Sequence, residues 1–286
     1  MASALAKGRW KSWRRLWEVA AGPLLLSGEQ FTKPLTDPAC LDALVQVLTE
    51  RGYRLKVVVF LRDQPDYINA RFVHSTRRLY HYQNFEAYVR AQLTERQHIY
   101  DYHHLFGHLI AHPDVSSVFL PYGSRFGDPF ARMMAALGWP EPKQGWAPAD
   151  PHKGNVQPGC RGVWLAQAIG KRLAALGFEG RRLTNTGGVV RRIAERQGWQ
   201  DERYCGFDPA SAETVAAHYA PSNDAFAQRV WGCRWRERVP MVLMERRVFQ
   251  PPPDGEERRW LEGLVQQALQ DLARQNRDLK RALGSI

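Results

Sequence analysis

The stretch "LKVVVFLRDQPDYINARF", Leu55 to Phe72, decides how this chain is read. It opens on a β-branched apolar run, Val57-Val58-Val59-Phe60, and where the run ends it delivers Arg62. A continuous run rather than an alternating one predicts a strand over Leu55 to Leu61 that is covered on both faces, as in a parallel sheet. Asp63-Gln64-Pro65 then leads into a predicted helix over Asp66 to Arg77. In a parallel α/β sheet, ligands gather beyond the carboxyl ends of the strands, and a helix that starts there adds free N–H groups. Arg62 is therefore a candidate ligand for an anion, because its forked guanidinium suits a phosphate. The plainer reading is an ion pair with Asp63, Asp66 or another acid.

Working outward, Pro23 to Leu26 reads as a short strand that ends in Ser27-Gly28-Glu29. Leu41, Leu44, Val45 and Leu48 recur at helical spacing, so a helix is expected over Pro38 to Arg51, stopped by Gly52. Strand, helix and strand make a βαβ unit, in which Glu29 and Arg62 open onto one crevice. A carboxylate beside a bound anion suits a general base that takes a proton from an acceptor hydroxyl. The plainer reading of Glu29 is a helix-capping or ion-paired side chain.

Further helices are expected over Phe85 to Leu93 and Glu95 to Ile110, a strand over Val115 to Pro121, and a helix over Asp128 to Leu137 ended by Gly138. Pro, Gly and Lys then mark a long loop, and helices follow to the end of the chain. The expectation is an α/β fold in one domain, 1–286. A short parallel sheet with flanking helices occupies 1–138, a loop 139–160, and a mostly helical part 161–286.

With 286 residues the chain is long enough for a sizeable core, and its formal net charge of +11 suits an anionic partner. The charge is dispersed, with no basic tail and no basic face carrying base-stacking aromatics, so nucleic acid is not the expected partner. Cys40, Cys160, Cys205 and Cys233 form no CxxC pair, which fits reduced thiols in the cytoplasm. Trp10, Trp13 and Trp17 recur at helical spacing. They predict either a helix packed on the sheet or a peripheral helix at the inner membrane, with Lys11, Arg14 and Arg15 facing headgroups. His104, His108 and His112 are spaced by four, as in helical two-His metal sites. No further ligand is marked by spacing, so a polar face is expected and no metal. His74, His81, Arg77 and Arg78 make a basic segment, read either as the flank of an acceptor site or as a solvated helix end.

The order of several motifs resembles the bacterial sulfotransferase-like proteins. "LLLSGEQF" and "LKVVVFLRDQPDYINARF" match a strand ending Ser-x-Glu and a strand ending Arg-x-Gln-x-Asp-Tyr. "NFEAYV" (Asn84 to Val89), "VFLPYGSRFGDPFARMMAALGW" (Val118 to Trp139), "KGNVQPG" (Lys153 to Gly159) and "YAPSNDAFAQRVWG" (Tyr219 to Gly232) come after them in the family's order. The resemblance implies a sheet of the P-loop nucleoside-triphosphate-hydrolase type. It implies transfer of a sulfuryl group from 3′-phosphoadenosine 5′-phosphosulfate to a hydroxyl, often on a glycan. It also implies that Arg62 binds the donor's 3′-phosphate and that Glu29 is the base. The family has a serine eight positions after the arginine, where this chain has Ala70, and Asn69 is taken as an auxiliary ligand in its place. The family's Lys-(Ser/Thr)-Gly-Thr-Thr loop for the 5′-phosphosulfate has no counterpart in "AKGRWKSW", Ala6 to Trp13. The sequence reading therefore also admits an incomplete chain, or an inactive relative that binds an anionic nucleotide or glycan in a polysaccharide assembly.

Overall fold

The computed structural model describes residues 22–28, 31–94, 98–140, 156–242 and 244–284. In chain order the elements begin with α1 (Thr32–Thr36), α2 (Pro38–Thr49), β1 (Leu55–Leu61), α3 (Gln64–Arg77) and α4 (Phe85–Thr94). Next come α5 (Tyr102–Leu105), α6 (Gly107–Ala111), β2 (Val115–Pro121) and α7 (Pro129–Leu137). The remainder is helical: α8 (Gly159–Ala175), α9 (Thr186–Arg196), α10 (Pro209–Trp231), α11 (Trp235–Arg238), α12 (Gly255–Ala273) and α13 (Arg277–Gly284). The fold is thus α/β and rich in helix, with a short parallel sheet of two strands among the described residues.

The described residues gather into two compact units. One holds those of Met1–Arg62, His98–Pro142 and Tyr219–Pro240, and the other those of Asp63–Gln97, Lys143–His218 and Met241–Ile286. The units interleave along the chain.

In the first unit β1 and β2 pair in parallel, with Leu55 opposite Val115 and Leu61 opposite Pro121. The Tyr122 N–H extends the pairing by donating to the Leu61 carbonyl at 2.6 Å. Val57 and Leu61 of β1 and Val115 and Phe119 of β2 are buried in one cluster with Leu41 and Val45 of α2, Phe106, Leu109, Phe226 and Trp235. Each fully buried side chain of this size contributes about 1.5–3 kcal/mol relative to exposure. The other face is lightly covered: Val58 and Phe60 are only half-buried and Lys56 is exposed. The expected two-sided burial of β1 therefore does not hold. Its residues follow the two-residue period of a sheet with one well-packed face.

Two other expectations are corrected in this unit. Residues 22–28 form no strand, so the Leu24–Leu26 arm of the expected βαβ unit is missing from the sheet. The sheet's two strands are instead joined by a long crossover that contains α3 to α6. The helix expected over Glu95 to Ile110 is broken, and residues 95–97 lie outside the described chain. Asp101 interrupts it by capping α5, accepting from the His104 N–H at 3.0 Å, and Gly107 then opens α6. A short polar side chain that takes an orphan N–H starts a new helix more readily than it sits inside an old one.

The second unit packs α8, α9 and α12 around Leu165, Ile169, Leu173, Val190, Ile193, Leu261, Ala268 and Leu272. Beside this core Phe72, His81, Phe85, Tyr88, Tyr204 and Phe207 make an aromatic cluster, with Phe85 and Phe207 edge to face at 4.7 Å. Gly206 is pressed against it: a Cβ there would lie 2.2 Å from the Phe85 ring. Cys160 and Cys205 sit on the neighbouring backbone, the Cys160 thiol donating to the Arg247 carbonyl at 3.1 Å and burial pushing both thiols up from their ordinary pKa.

His81 lies within this cluster and stacks on Tyr88. Its Nε2 is 2.7 Å from Ser75 Oγ, whose own proton goes to the Arg71 carbonyl at 2.7 Å. Nε2–H is therefore the donor in that pair, and Nδ1 keeps a buried lone pair with no hydrogen-bond partner among the described residues. Burial, helped by the charge of Arg181, lowers the His81 pKa from 6.5 to about 4.

Gly206→Ala is expected to cost about 1–3 kcal/mol by overpacking. Gly263→Ala, inside α12 with open space at its Cβ position, is expected to gain roughly 0.5–1 kcal/mol. Urea unfolding of the two variants beside the unaltered protein measures both. The histidine gives a sign for acid. Between its folded value of about 4 and its unfolded 6.5, only the unfolded chain takes up the proton, so stability falls as pH drops through that window. Unfolding midpoints at pH 7 and pH 5 are expected to differ less in His81→Phe than in the unaltered protein. An unchanged difference would mean that His81 does not contribute to the acid sensitivity of the fold.

Candidate functional site

The carboxyl end of the parallel pair carries a group of cations. β1 ends at Leu61 and hands over to Arg62, while β2 ends at Pro121 and hands over to Tyr122. Because the two last strand residues face each other in register, these two side chains arise side by side. The Arg62 guanidinium lies over the Tyr122 ring, 4.4 Å from its centroid. Its backbone is also fixed, since the Tyr102 hydroxyl donates to the Arg62 carbonyl at 2.7 Å.

The chain after Tyr122 turns through Gly123 and Gly127, the latter at φ 80°, where a side chain would be strained. Asp128 then caps α7 by accepting from the N–H groups of Phe130 at 3.3 Å and Ala131 at 3.0 Å. This turn places two further arginines. Arg132 donates to the Pro121 carbonyl at 2.6 Å and lies 5.4 Å from the Phe126 ring centroid and 5.9 Å from that of Phe60. Arg125 lies 4.8 Å from the Phe126 centroid and donates to the Pro240 carbonyl. Phe60 in turn meets Tyr122 edge to face at 6.1 Å. The lightly covered face of β1 is thus finished by an aromatic and guanidinium layer that reaches the strand ends.

Guanidinium forks near the carboxyl ends of parallel strands are chemically suited to a tetrahedral or planar oxyanion. Arg62 is the one that the strand pattern singles out. Arg125, Arg132 and Tyr122 are not marked by it. The signal for them is in the sequence all the same: Pro121-Tyr122-Gly123 ends a strand, and two arginines come after it, seven positions apart.

The other expected site residues fare differently. Glu29 lies outside the described residues, as do Trp10, Trp13 and Trp17. Asn69 belongs to the second unit and is 5% exposed. Its amide donates to the Tyr204 carbonyl at 3.2 Å and accepts from the Gly206 N–H at 3.0 Å. It clasps the loop that carries Gly206, and a bound ligand would have to displace one of those bonds. Ala70 is next on α3 and offers no hydroxyl.

The three spaced histidines do not share a helical face, because α5 and α6 are separate helices. His108 and His112 nevertheless meet at Asp42 of α2, with Nε2 to Oδ1 distances of 2.9 Å and 3.5 Å. Among the described residues no group of His, Cys, Asp and Glu is arranged to hold a metal ion. A cavity of about 390 Å³ opens beside this cluster, lined by Asp42, Gln46, Thr49, Glu50, His112 and Asp114. Asp114 immediately precedes β2, so the cavity lies at the amino end of that strand, away from Arg62. Its carboxylates make it unsuited to an anion.

No described helix is long and apolar enough to cross a membrane. No protein-family model, curated protein or solved structure matches the chain, so the reading of this site rests on the residues themselves.

Proposed function

We propose that the chain is a sulfotransferase-like protein of P-loop type that binds 3′-phosphoadenosine 5′-phosphosulfate at the carboxyl ends of β1 and β2. Arg62 takes the donor's 3′-phosphate, and the acceptor is a hydroxyl of a glycan or a related polymer precursor. The observation that carries this reading is the position of Arg62: it comes directly after the last residue of a parallel strand and is stacked on the residue at the same place after the neighbouring strand. The ring holds the guanidinium plane, so less rotamer entropy is lost when the fork closes on an oxyanion. Arg132, 5.9 Å from the Phe60 ring centroid, and Arg125, on the turn that leads into α7, add positive potential.

The chemistry asked of such a site is mostly positioning. The acceptor oxygen attacks sulfur in line, the bond from sulfur to the bridging oxygen of the donor breaks, and adenosine 3′,5′-bisphosphate leaves with the electron pair. The acceptor proton goes to a base, the role given to Glu29 by the resemblance. Holding the partners in line and stabilising spread negative charge supply the rate.

A second reading, an inactive relative that only binds an anionic nucleotide or glycan, is favoured by two observations. Ala70 stands where the resemblance expects a serine, and residues 22–28 form no strand to present Glu29 at a strand end.

Calorimetric titration with adenosine 3′,5′-bisphosphate at low salt tests the site. The unaltered protein is expected to bind, and Arg62→Ala to bind about 10–100-fold more weakly, since a charge-assisted pair contributes roughly 1.5–3 kcal/mol. Absence of binding at millimolar nucleotide would end both nucleotide readings. Transfer of radiolabelled sulfate to a hydroxylated glycan separates them. Glu29→Gln is expected to bind the nucleotide normally and to lose transfer by about 100-fold or more. Binding without any transfer by the unaltered protein leaves the second reading.

A further inference from the structure

The second unit carries a built cationic surface that the nucleotide reading does not use. Its centre is Tyr80, 37% exposed. Arg78 donates to the Tyr80 hydroxyl at 3.2 Å, and its guanidinium lies 5.9 Å from the ring centroid. Arg181, from a different part of the chain, lies 5.3 Å from the same centroid. Both arginines are exposed. Among the described residues no carboxylate pairs with either, although acids partner many arginines elsewhere, such as Arg161, Arg246 and Arg258.

Two backbone features bring these residues together. Leu79, at φ 60°, is the left-handed residue that ends α3, its N–H donating to the Thr76 carbonyl at 2.8 Å and the Tyr80 N–H to the Ser75 carbonyl at 3.0 Å. This turn buries Leu79 in the unit's core at 3% exposure while its neighbours Arg78 and Tyr80 stay outside. Gly180 then packs directly on that turn: a Cβ at Gly180 would fall 2.0 Å from the Leu79 carbonyl oxygen. The close approach fixes Arg181 beside Tyr80. Two like charges held against one ring, with no acid partner among the described residues, repel each other unless an anion is received there.

The geometry points to this surface as a docking site for an acidic polysaccharide, one bearing sulfate or carboxylate groups. Guanidinium forks recognise such planar or tetrahedral oxyanions through paired N–H donors. A single-stranded nucleic acid would need open aromatic faces on which bases stack. Tyr80 is poor for that purpose, because guanidiniums already lie against its ring and Arg78 holds its hydroxyl. Arg62 takes no part in this surface, so loss of nucleotide binding leaves polysaccharide binding in place.

The test is direct binding of a fluorescent, fully sulfated heparin hexasaccharide at moderate salt. The double variant Arg78→Gln/Arg181→Gln is expected to bind about tenfold more weakly. The charge-matched control Arg274→Gln/Arg281→Gln, altered at two exposed arginines that have acid partners, is expected to bind like the unaltered protein. Arg78→Lys/Arg181→Lys keeps the charge, loses the forks, and is expected to bind about threefold more weakly. Arg62→Ala is expected to leave hexasaccharide binding intact. Equal losses in the first two doubles would mean attraction by net charge alone and would overturn the proposal. So would tighter binding of a single-stranded DNA of equal charge, or full competition by inorganic sulfate at equal concentration. Circular dichroism of each variant shows that the fold is kept.

Discussion

The pairing of β1 with β2 is the constraint on which the first unit depends. Two parallel strands alone are a weak sheet, since their slanted bonds give slightly less per residue than antiparallel ones. This pair stands because one face, Phe119 of β2 included, is driven against Phe106, Phe226 and Trp235, three aromatic side chains that are almost wholly buried. Even the end of α10 is tied to the ladder: the Trp231 indole N–H donates to the Phe119 carbonyl at 3.1 Å. The same register that buries Leu61 puts Arg62 and Tyr122 next to each other. Position of the cation is thus a consequence of core packing, not of any preference of its own.

Legibility of the fold in the sequence tracks the strength of local signals. The Val57-Val58-Val59-Phe60 run is long enough to specify a strand, and Pro38, Pro129 and Gly138 mark helix ends by backbone chemistry that needs no tertiary help. Pro23 to Leu26 is also apolar, but four residues cannot hold an edge without a partner. Burial of β1 on both faces is an inference from composition alone, and composition does not show how many layers lie above a strand. The break at Asp101 is visible only once its carboxylate is seen to take the His104 N–H instead of facing solvent.

Site residues are legible to the extent that the strand ends are. Arg62 is found by looking at the first residue beyond a buried run. Arg125 and Arg132 belong to a turn whose path depends on Gly123, Gly127 and the Asp128 cap, and no periodicity reports that. Asn69 shows the converse. A polar residue beside an expected ligand position looks available in one dimension, whereas in three its amide is committed to the backbone of Tyr204 and Gly206. His108 and His112 likewise find their partner in Asp42, a residue far away in sequence.

The long crossover has a kinetic meaning. β1 and β2 are separated by the whole of α3 to α6, and two of those helices belong to the second unit. Closing so large a loop costs entropy before any ladder bond repays it, and contacts between distant segments form late. The strand pair is therefore expected to close late in folding, on helices that have already gathered. Until it closes, Val57 to Phe60 is an unpaired, strongly β-forming segment, open to capture by another copy of the chain during synthesis.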